Sequence, residues 1–306
     1  MIFVISHKTD YSADFVVNIL NRRGIAYRRL NCEDILEGDI TFRFNGNFSY
    51  SILNEDSYDA VWFRRTKLPQ FKGLSPAEAN YVLIETDHLL KNIFSTVSAK
   101  WLSSPKMVYE AENKLLQLKA AQKIGFTIPE TLVTNSKDEL RSFFAAHNGN
   151  IIIKPLSQTR LNRNDSNSFI FTNVITTDVL VRLDELDLTP CIFQENIPKD
   201  HEVRVTVVGR KVFAARIHSQ GCDETRIDWR RKPLRFEIAD LPSDVSDACI
   251  NLVDELGLAF GALDLIKRPD GTYTFLEINP NGQWVWIENQ TSLKISEAII
   301  DYLTNV

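Results

Sequence analysis

Apolar positions in the first hundred residues follow two periods. Residues 2–5 are a continuous apolar run of buried-strand length. Residues 12–23 carry apolar side chains at helical spacing up to Gly24, and residues 26–30 return to a strand pattern. That β-α-β order predicts a small parallel sheet. Residues 42–44 and 48–52, separated by Asn45-Gly46-Asn47, read as a hairpin. A short strand at 60–63 ends in Arg64-Arg65, and 76–94 has helical periodicity. Residues 1–103 therefore form one α/β domain.

Pro105 opens a second unit. It holds a helix over 111–124 stopped by Gly125 and a helix over 136–147 with Ser136 and Glu139 as a capping box. A β-branched run, 151–153, ends on Lys154-Pro155. This unit covers 104–190. The last, 191–306, is mostly strand, with helices near 245–256 and 292–302. Two hairpins stand out there. Residues 201–218 turn at Gly209, and residues 262–278 turn at Pro269-Asp270-Gly271.

Bulk numbers narrow the function. The chain has 306 residues, 44% hydrophobic and 25% charged, enough for two or three domains. Its formal net charge of −5 gives no general electrostatic case for nucleic acid. Cys32, Cys191, Cys222 and Cys249 are far apart and form no CxxC pair, which argues against structural zinc or a disulfide scaffold and fits a reducing cytosol. The N-terminus lacks the basic and long apolar regions of a signal peptide. No apolar run approaches the roughly 20 residues of a membrane helix. The expectation is a cytoplasmic protein with no membrane or nucleic-acid partner.

The second hairpin reads GALDLIKRPDGTYTFLEINPNGQW. Strand alternation puts Glu277 and Asn279 on one face, with Ile278 opposite, and the hairpin can bring Asp264 to that pair. Two carboxylates and an amide oxygen suit Mg²⁺, which usually keeps waters and bridges substrate phosphates. The competing reading is the exposed face of an ordinary hairpin. Upstream, Lys154 at the end of a buried strand can present a fixed cation to an anion. The polar stretch Ser157-Gln158-Thr159-Arg160-Leu161-Asn162-Arg163-Asn164 can fold over phosphates. The chain contains no GxxxxGK[ST], which weighs against a P-loop enzyme. Residues 191–197 can offer backbone groups to an adenine edge, and Glu202 can accept from ribose hydroxyls. Arg204, Arg216 and His218 interrupt an apolar hairpin, and the run Arg226-Ile227-Asp228-Trp229-Arg230-Arg231 adds guanidinium nearby. Taken singly these are surface arginines; their density before the carboxylate hairpin favours an anionic-substrate site.

In sequence order, the helix beginning Asn113-Lys114, Ile153-Lys154-Pro155, Gln194-Glu195-Asn196-Ile197, Glu202-Val203-Arg204-Val205, Asp264 and Glu277-Ile278-Asn279-Pro280 resemble the ATP-grasp ligases. The resemblance covers residues 105–306, with an α/β domain of the expected size in front. Val61-Trp62-Phe63-Arg64-Arg65, Lys154-Pro155-Leu156-Ser157 and Asn279-Pro280-Asn281-Gly282-Gln283-Trp284 make the chain most similar to graspetide (microviridin-type) peptide macrocyclases, relatives of ribosomal-protein glutamate ligase. It departs from metabolic carboxylate ligases in having no Gly-rich loop after Lys154.

The resemblance implies an ATP-grasp fold behind a Rossmann-like domain, with ATP and Mg²⁺ as cofactors. It implies Lys114, Lys154 and Ser157 at the phosphates, Gln194, Glu195 and Ile197 at adenine, and Glu202 at ribose. Asp264, Glu277 and Asn279 would hold Mg²⁺. Arg204, Arg216 and Arg226 would face the transferring phosphoryl, with His218 or Asp228 as the base. The expected partner is a ribosomally made precursor peptide whose leader docks around residues 160–190. Its acidic core would be joined through side-chain esters or amides. The C-terminal helix is a candidate homodimer contact. The main alternative is an intermolecular ligase that adds an amino acid to a peptide carboxylate. A nucleotide-binding regulatory domain is the non-enzyme alternative, weakened by the full Asp264, Glu277 and Asn279 set.

Overall fold

The computed structural model describes residues 1–157, 160–163, 166–185 and 189–305. Gln158, Thr159 and Asn164 of the expected phosphate loop lie outside the described residues. The first domain has a parallel sheet in the order Tyr27–Asn31, Ile2–Ser6, Ala60–Phe63, Lys100–Trp101. Asp10 caps the helix Tyr11–Arg23, and Gly24, at φ +64°, ends it. The hairpin Ile40–Asn45/Asn47–Ile52 forms as expected.

The middle sheet runs Asn173–Val174, Ile151–Lys154, Cys191–Glu195, Thr131–Thr134. Cys191–Glu195 is thus hydrogen-bonded into the middle sheet, although the sequence groups it with the last unit. The chain crosses to the third sheet only after Glu195. That sheet is antiparallel, in the order Phe236–Ile238, Lys211–Ile217, His201–Val208, Phe260–Lys267, Tyr273–Asn279.

Several local expectations shift. The helix expected over 111–124 is two: Pro105–Ala111, then Lys114–Ile124 starting after Asn113. Ser136 caps its helix through the Glu139 N–H, but its own N–H is taken by Thr134 Oγ1, so the reciprocal half of the box is absent there. A complete capping box sits instead at Ser75 and Glu78. A helix at Val285–Thr291 was not anticipated; its N-cap position is Trp284, which makes no side-chain cap bond.

Every residue of His201–Val208 is buried, so this strand has two covered faces. Val203, Val205 and Val207 join Cys249, Leu252 and Val253 of the helix Ser243–Glu255 in the main core. The opposite face carries Glu202, Arg204 and Thr206. The last helix, Ile295–Thr304, buries Ile295, Ala298, Ile299, Ile300 and Leu303 in a cluster shared with the first domain. Its apolar face is packed inside the chain. Among the described residues no helix is long and apolar enough to cross a membrane.

Candidate active site

Two sheet faces look at each other. In the middle sheet, Lys154 pairs with Ile192 and Ile152 with Gln194, which sets Ile152, Lys154 and Gln194 on one face. In the third sheet, Glu202 pairs with Ile266, Arg204 with Asp264, Asp264 with Glu277, and Ala262 with Asn279. Those registers gather Glu202, Arg204, Asp264, Glu277 and Asn279 on the other face.

A cavity of about 330 Å³ lies between the faces. Its walls include Ile152, Lys154, Gln194 to Ile197, Lys199, Glu202, Ile266 and Leu276. Its roof is the segment Ile170 to Thr172, tied to residues 228–231: Asp228 accepts the Thr172 N–H at 3.1 Å, and Arg231 Nη2 donates to Thr172 O at 2.6 Å. A wider cavity of about 980 Å³ opens beside it, walled by Arg64, Arg65, Tyr109, Glu112, Arg204 and residues 278–283. Lys114, Ser157, Trp229, Arg230, Asp264 and Glu277 line both. The junction of the two spaces is therefore where the charges concentrate.

Burial would raise the Glu277 carboxyl, but Lys114, Lys154 and Arg230 overcome it and hold Glu277 at about 2. Lys114 Nζ stands 3.3 Å from Glu277 Oε2 and 3.3 Å from the Pro155 carbonyl. Burial, with Lys114 and Arg230 close by, brings Lys154 down to about 8 against the pull of Glu277. Asp264 is raised by burial and by Glu277, although Arg204 Nη1 donates to both its oxygens at 2.9 and 2.8 Å. Burial also raises Glu202, whose Oε1 accepts from Lys199 Nζ at 2.8 Å and Ser219 Oγ at 3.0 Å.

Among the described residues no three His, Cys, Asp or Glu side chains form a metal cage. The donor set is instead two facing carboxylates with the Asn279 amide beside them. That open, all-oxygen site suits a hard cation that keeps water and phosphate ligands. At the far end, Gln194 is buried and its Oε1 has no hydrogen-bond partner, while its Nε2 donates to Thr131 Oγ1 at 2.8 Å. A buried acceptor left open in a cavity wall is matched by a ligand donor.

Of the residues singled out in the sequence, Lys114, Lys154, Ser157, Gln194, Glu195, Ile197, Glu202, Asp228, Asp264 and Glu277 line the inner cavity; Arg204 and Asn279 line the outer one. Arg216, His218 and Arg226 line neither. Arg216 pairs in register with Val203 while Arg204 pairs with Ala215, so Arg216 points to the opposite face. There it meets Glu237 at 3.2 Å with 43% of its side chain exposed. His218 is bound to the same carboxylate at 3.4 Å, and Arg226 pairs with Asp223 on the surface. Asp228 is buried and engaged: it accepts from Arg230 Nε at 2.8 Å, Arg230 Nη2 at 2.7 Å and the Thr172 N–H. Burial would raise Asp228, but Arg230 and these bonds hold it low, which suits an anchor for Arg230 better than a proton acceptor. Arg230, which the sequence offers only as one member of a basic run, and Lys199, which it does not single out, also line the inner cavity. Arg230 lies in a short 3₁₀ turn, Trp229–Arg231, where no periodicity marks its direction.

A family model described as the ATP-grasp domain of prokaryotic glutathione synthetase matches residues 113–279, the span from Asn113 to Asn279. The chain belongs to this ATP-grasp family. It is an ADP-forming ligase by fold and kinship. Among solved structures, it resembles a Chryseobacterium gregarium RiPP-associated ATP-grasp ligase in complex with ADP and a leader and core peptide. The TM-score is 0.90 at 29% identity, covering 99% of this chain and 96% of that one. It is also similar to macrocyclase MdnC from Microcystis aeruginosa MRC, bound with precursor peptide MdnA. There the TM-score is 0.86 at 30% identity, over 100% and 99% of the two chains. A curated relative, the alpha-aminoadipate–LysW ligase LysX of Sulfurisphaera tokodaii, is 22% identical over 69% of this chain and 74% of its own length. The likenesses to the two solved structures extend through the N-terminal domain as well.

Proposed function

We propose that this ligase is a peptide macrocyclase. It would activate Asp or Glu side-chain carboxylates of a ribosomal precursor peptide with ATP and join them to Thr or Ser hydroxyls or Lys amines of the same peptide. One observation carries the reading: Asp264, Glu277, Lys114 and Arg230 meet where a nucleotide-sized cavity, walled by Lys154, opens into a wider one. The full-length likeness to enzymes solved with precursor peptides supports it.

In this reading adenine sits against Gln194 to Ile197 and ribose against Glu202. The phosphates meet Lys114, Lys154 and Ser157. Asp264, Glu277 and Asn279 would hold Mg²⁺, which when bound would offset charge on the phosphate oxygens. A peptide carboxylate oxygen in the outer cavity attacks the γ-phosphorus, and the bond to the β-phosphate oxygen breaks to give ADP and an acyl phosphate. Arg230, held by Asp228, and Arg204, held by Asp264, face the outer cavity from the junction, where they can offset the developing charge. A hydroxyl or amine then adds to the acyl carbon, the bond from that carbon to the phosphate oxygen breaks, and the nucleophile's proton leaves with the phosphate. Low-lying, fully bonded Asp228 and distant His218 are poorly suited to take the nucleophile's proton. We assign the leader dock to residues 160–190, where Ile170, Val174 and Val181 are exposed.

The test is incubation with ATP, Mg²⁺ and a panel of acidic peptides bearing Thr, Ser and Lys, followed by mass spectrometry. Loss of one water per crosslink with no added residue supports the macrocyclase. A mass gain of an amino acid residue supports the intermolecular ligase instead.

A further inference from the structure

The loop from Asn279 to Gln283 follows the last site strand, yet its side-chain anchors come from the first domain. Asn279 O accepts the Gly282 N–H at 3.1 Å, which closes a tight turn. Ser12, buried at the start of the first helix, donates to Gln283 Oε1 at 2.5 Å. Arg65 Nη2 reaches the Asn281 carbonyl at 3.4 Å.

The anchors are themselves fixed. Asp10 Oδ1 accepts the Ser12 and Ala13 N–H groups at 3.0 and 3.3 Å. Its Oδ2 accepts from Ser6 Oγ at 2.8 Å and from Arg64 Nε at 3.4 Å. Arg64 is buried, and its N–H donates to the Ile5 carbonyl at 2.9 Å, so the strand end carrying Arg65 is locked to the first sheet.

On the sheet side the loop has no slack. A Cβ on Gly282 would lie 2.4 Å from Ala262 Cβ, 2.8 Å from Arg204 Nη2 and 3.3 Å from Asn279 Cβ. Arg204 in turn grips Asp264. The loop is thus held between Ser12 and Arg65 on one side and Ala262 and Arg204 on the other. Asn279 is at one end of it.

We propose that Ser12, Arg65 and Gln283 are positioning residues for the cation site: the first domain sets where Asn279 and Arg204 stand without touching the cation. The inference rests on the assignment of Asp264, Glu277 and Asn279 as metal ligands. Groups that orient a ligand from behind typically cost about 10–100-fold in metal affinity when removed. Nucleotide contacts in the inner cavity, which come from other elements, should be unaffected.

Mn²⁺ and ADP are the probes, with free Mn²⁺ read by electron paramagnetic resonance on the full chain. Arg65→Gln and Ser12→Ala should weaken Mn²⁺ uptake in the presence of ADP by about tenfold. Metal-free ADP affinity and melting temperature should stay at wild-type values, and Arg65→Lys should recover most of the loss. If buried Ser12→Ala lowers the melting temperature, Arg65→Gln alone carries the test. Uptake within about twofold of wild type in folded Arg65→Gln would overturn the proposal. A wild-type protein that takes up no Mn²⁺ with ADP would overturn the metal assignment itself, and the positioning role with it.

Discussion

Arg204 and Arg230 differ from Arg216 and Arg226 in nothing the local sequence displays. All four lie within 27 positions. The fold separates them through their partners. Arg204 and Arg230 are each tied to a carboxylate largely withdrawn from solvent, Asp264 and Asp228, beside the two cavities. Arg216 and Arg226 pair with solvent-exposed Glu237 and Asp223. A guanidinium whose carboxylate is fixed and desolvated is preorganised for a phosphoryl group; one on an exposed ion pair is largely screened by water.

The comparison is sharpest at the carboxylates that gather the cations. Asp264→Asn and Glu277→Gln should each reduce ADP release with peptide by more than about 10³-fold, because both remove charge at the phosphoryl-transfer point. Steady-state ADP assays with a responsive peptide check this. Arg230→Met should lower kcat by about 10²-fold with the melting temperature little changed. A loss confined to KM would place Arg230 in ground-state binding instead.

Lys154 gives a pH test with a fixed sign. Its protonated form is lost as pH rises through about 8 in the free protein, and that form is the one proposed to bind phosphate. ATP affinity measured by calorimetry should therefore fall as pH rises from 7 through 9. Lys154→Gln should bind more weakly and show a flat profile over that range. An unchanged profile in Lys154→Gln would assign the titration to another group.

The smallest effects belong to the outer arginines. Arg216→Ala and Arg226→Ala should change ADP release by less than about twofold and stability by less than about 0.5 kcal/mol. A large loss in either would reverse the comparison and return these side chains to the site.

What the sequence made legible follows the same division. Asp264, Glu277 and Asn279 were readable because strand alternation is local and the Pro269-Asp270-Gly271 turn is explicit. Gly271, at φ +87°, completes that turn. The face of Arg216 was not readable, because it depends on the register across the Gly209 hairpin, where Arg204 meets Ala215. A one-residue slip reverses every side chain, and no local signal fixes it. Arg230 sits in a 3₁₀ turn with no periodicity, and its role comes from a salt bridge to Asp228 within that turn. The helix Val285–Thr291 was missed for want of a side-chain cap, its position being set instead by buried Trp284 packed edge-on to Phe15, 5.9 Å away. Those are tertiary facts, and they decide the second half of the site.

The proposed reaction turns on phosphorylation of a peptide carboxylate at the junction of the two cavities. The most direct measurement is trapping with hydroxylamine, in a reaction of the full chain, ATP, Mg²⁺ and an acidic peptide. The proposed reaction gives ADP equal to the sum of peptide hydroxamate and crosslinks from the wild type, and none of these from Glu277→Gln. Hydroxamate accompanied by AMP and pyrophosphate would contradict it, since that product pair requires attack at the α-phosphorus.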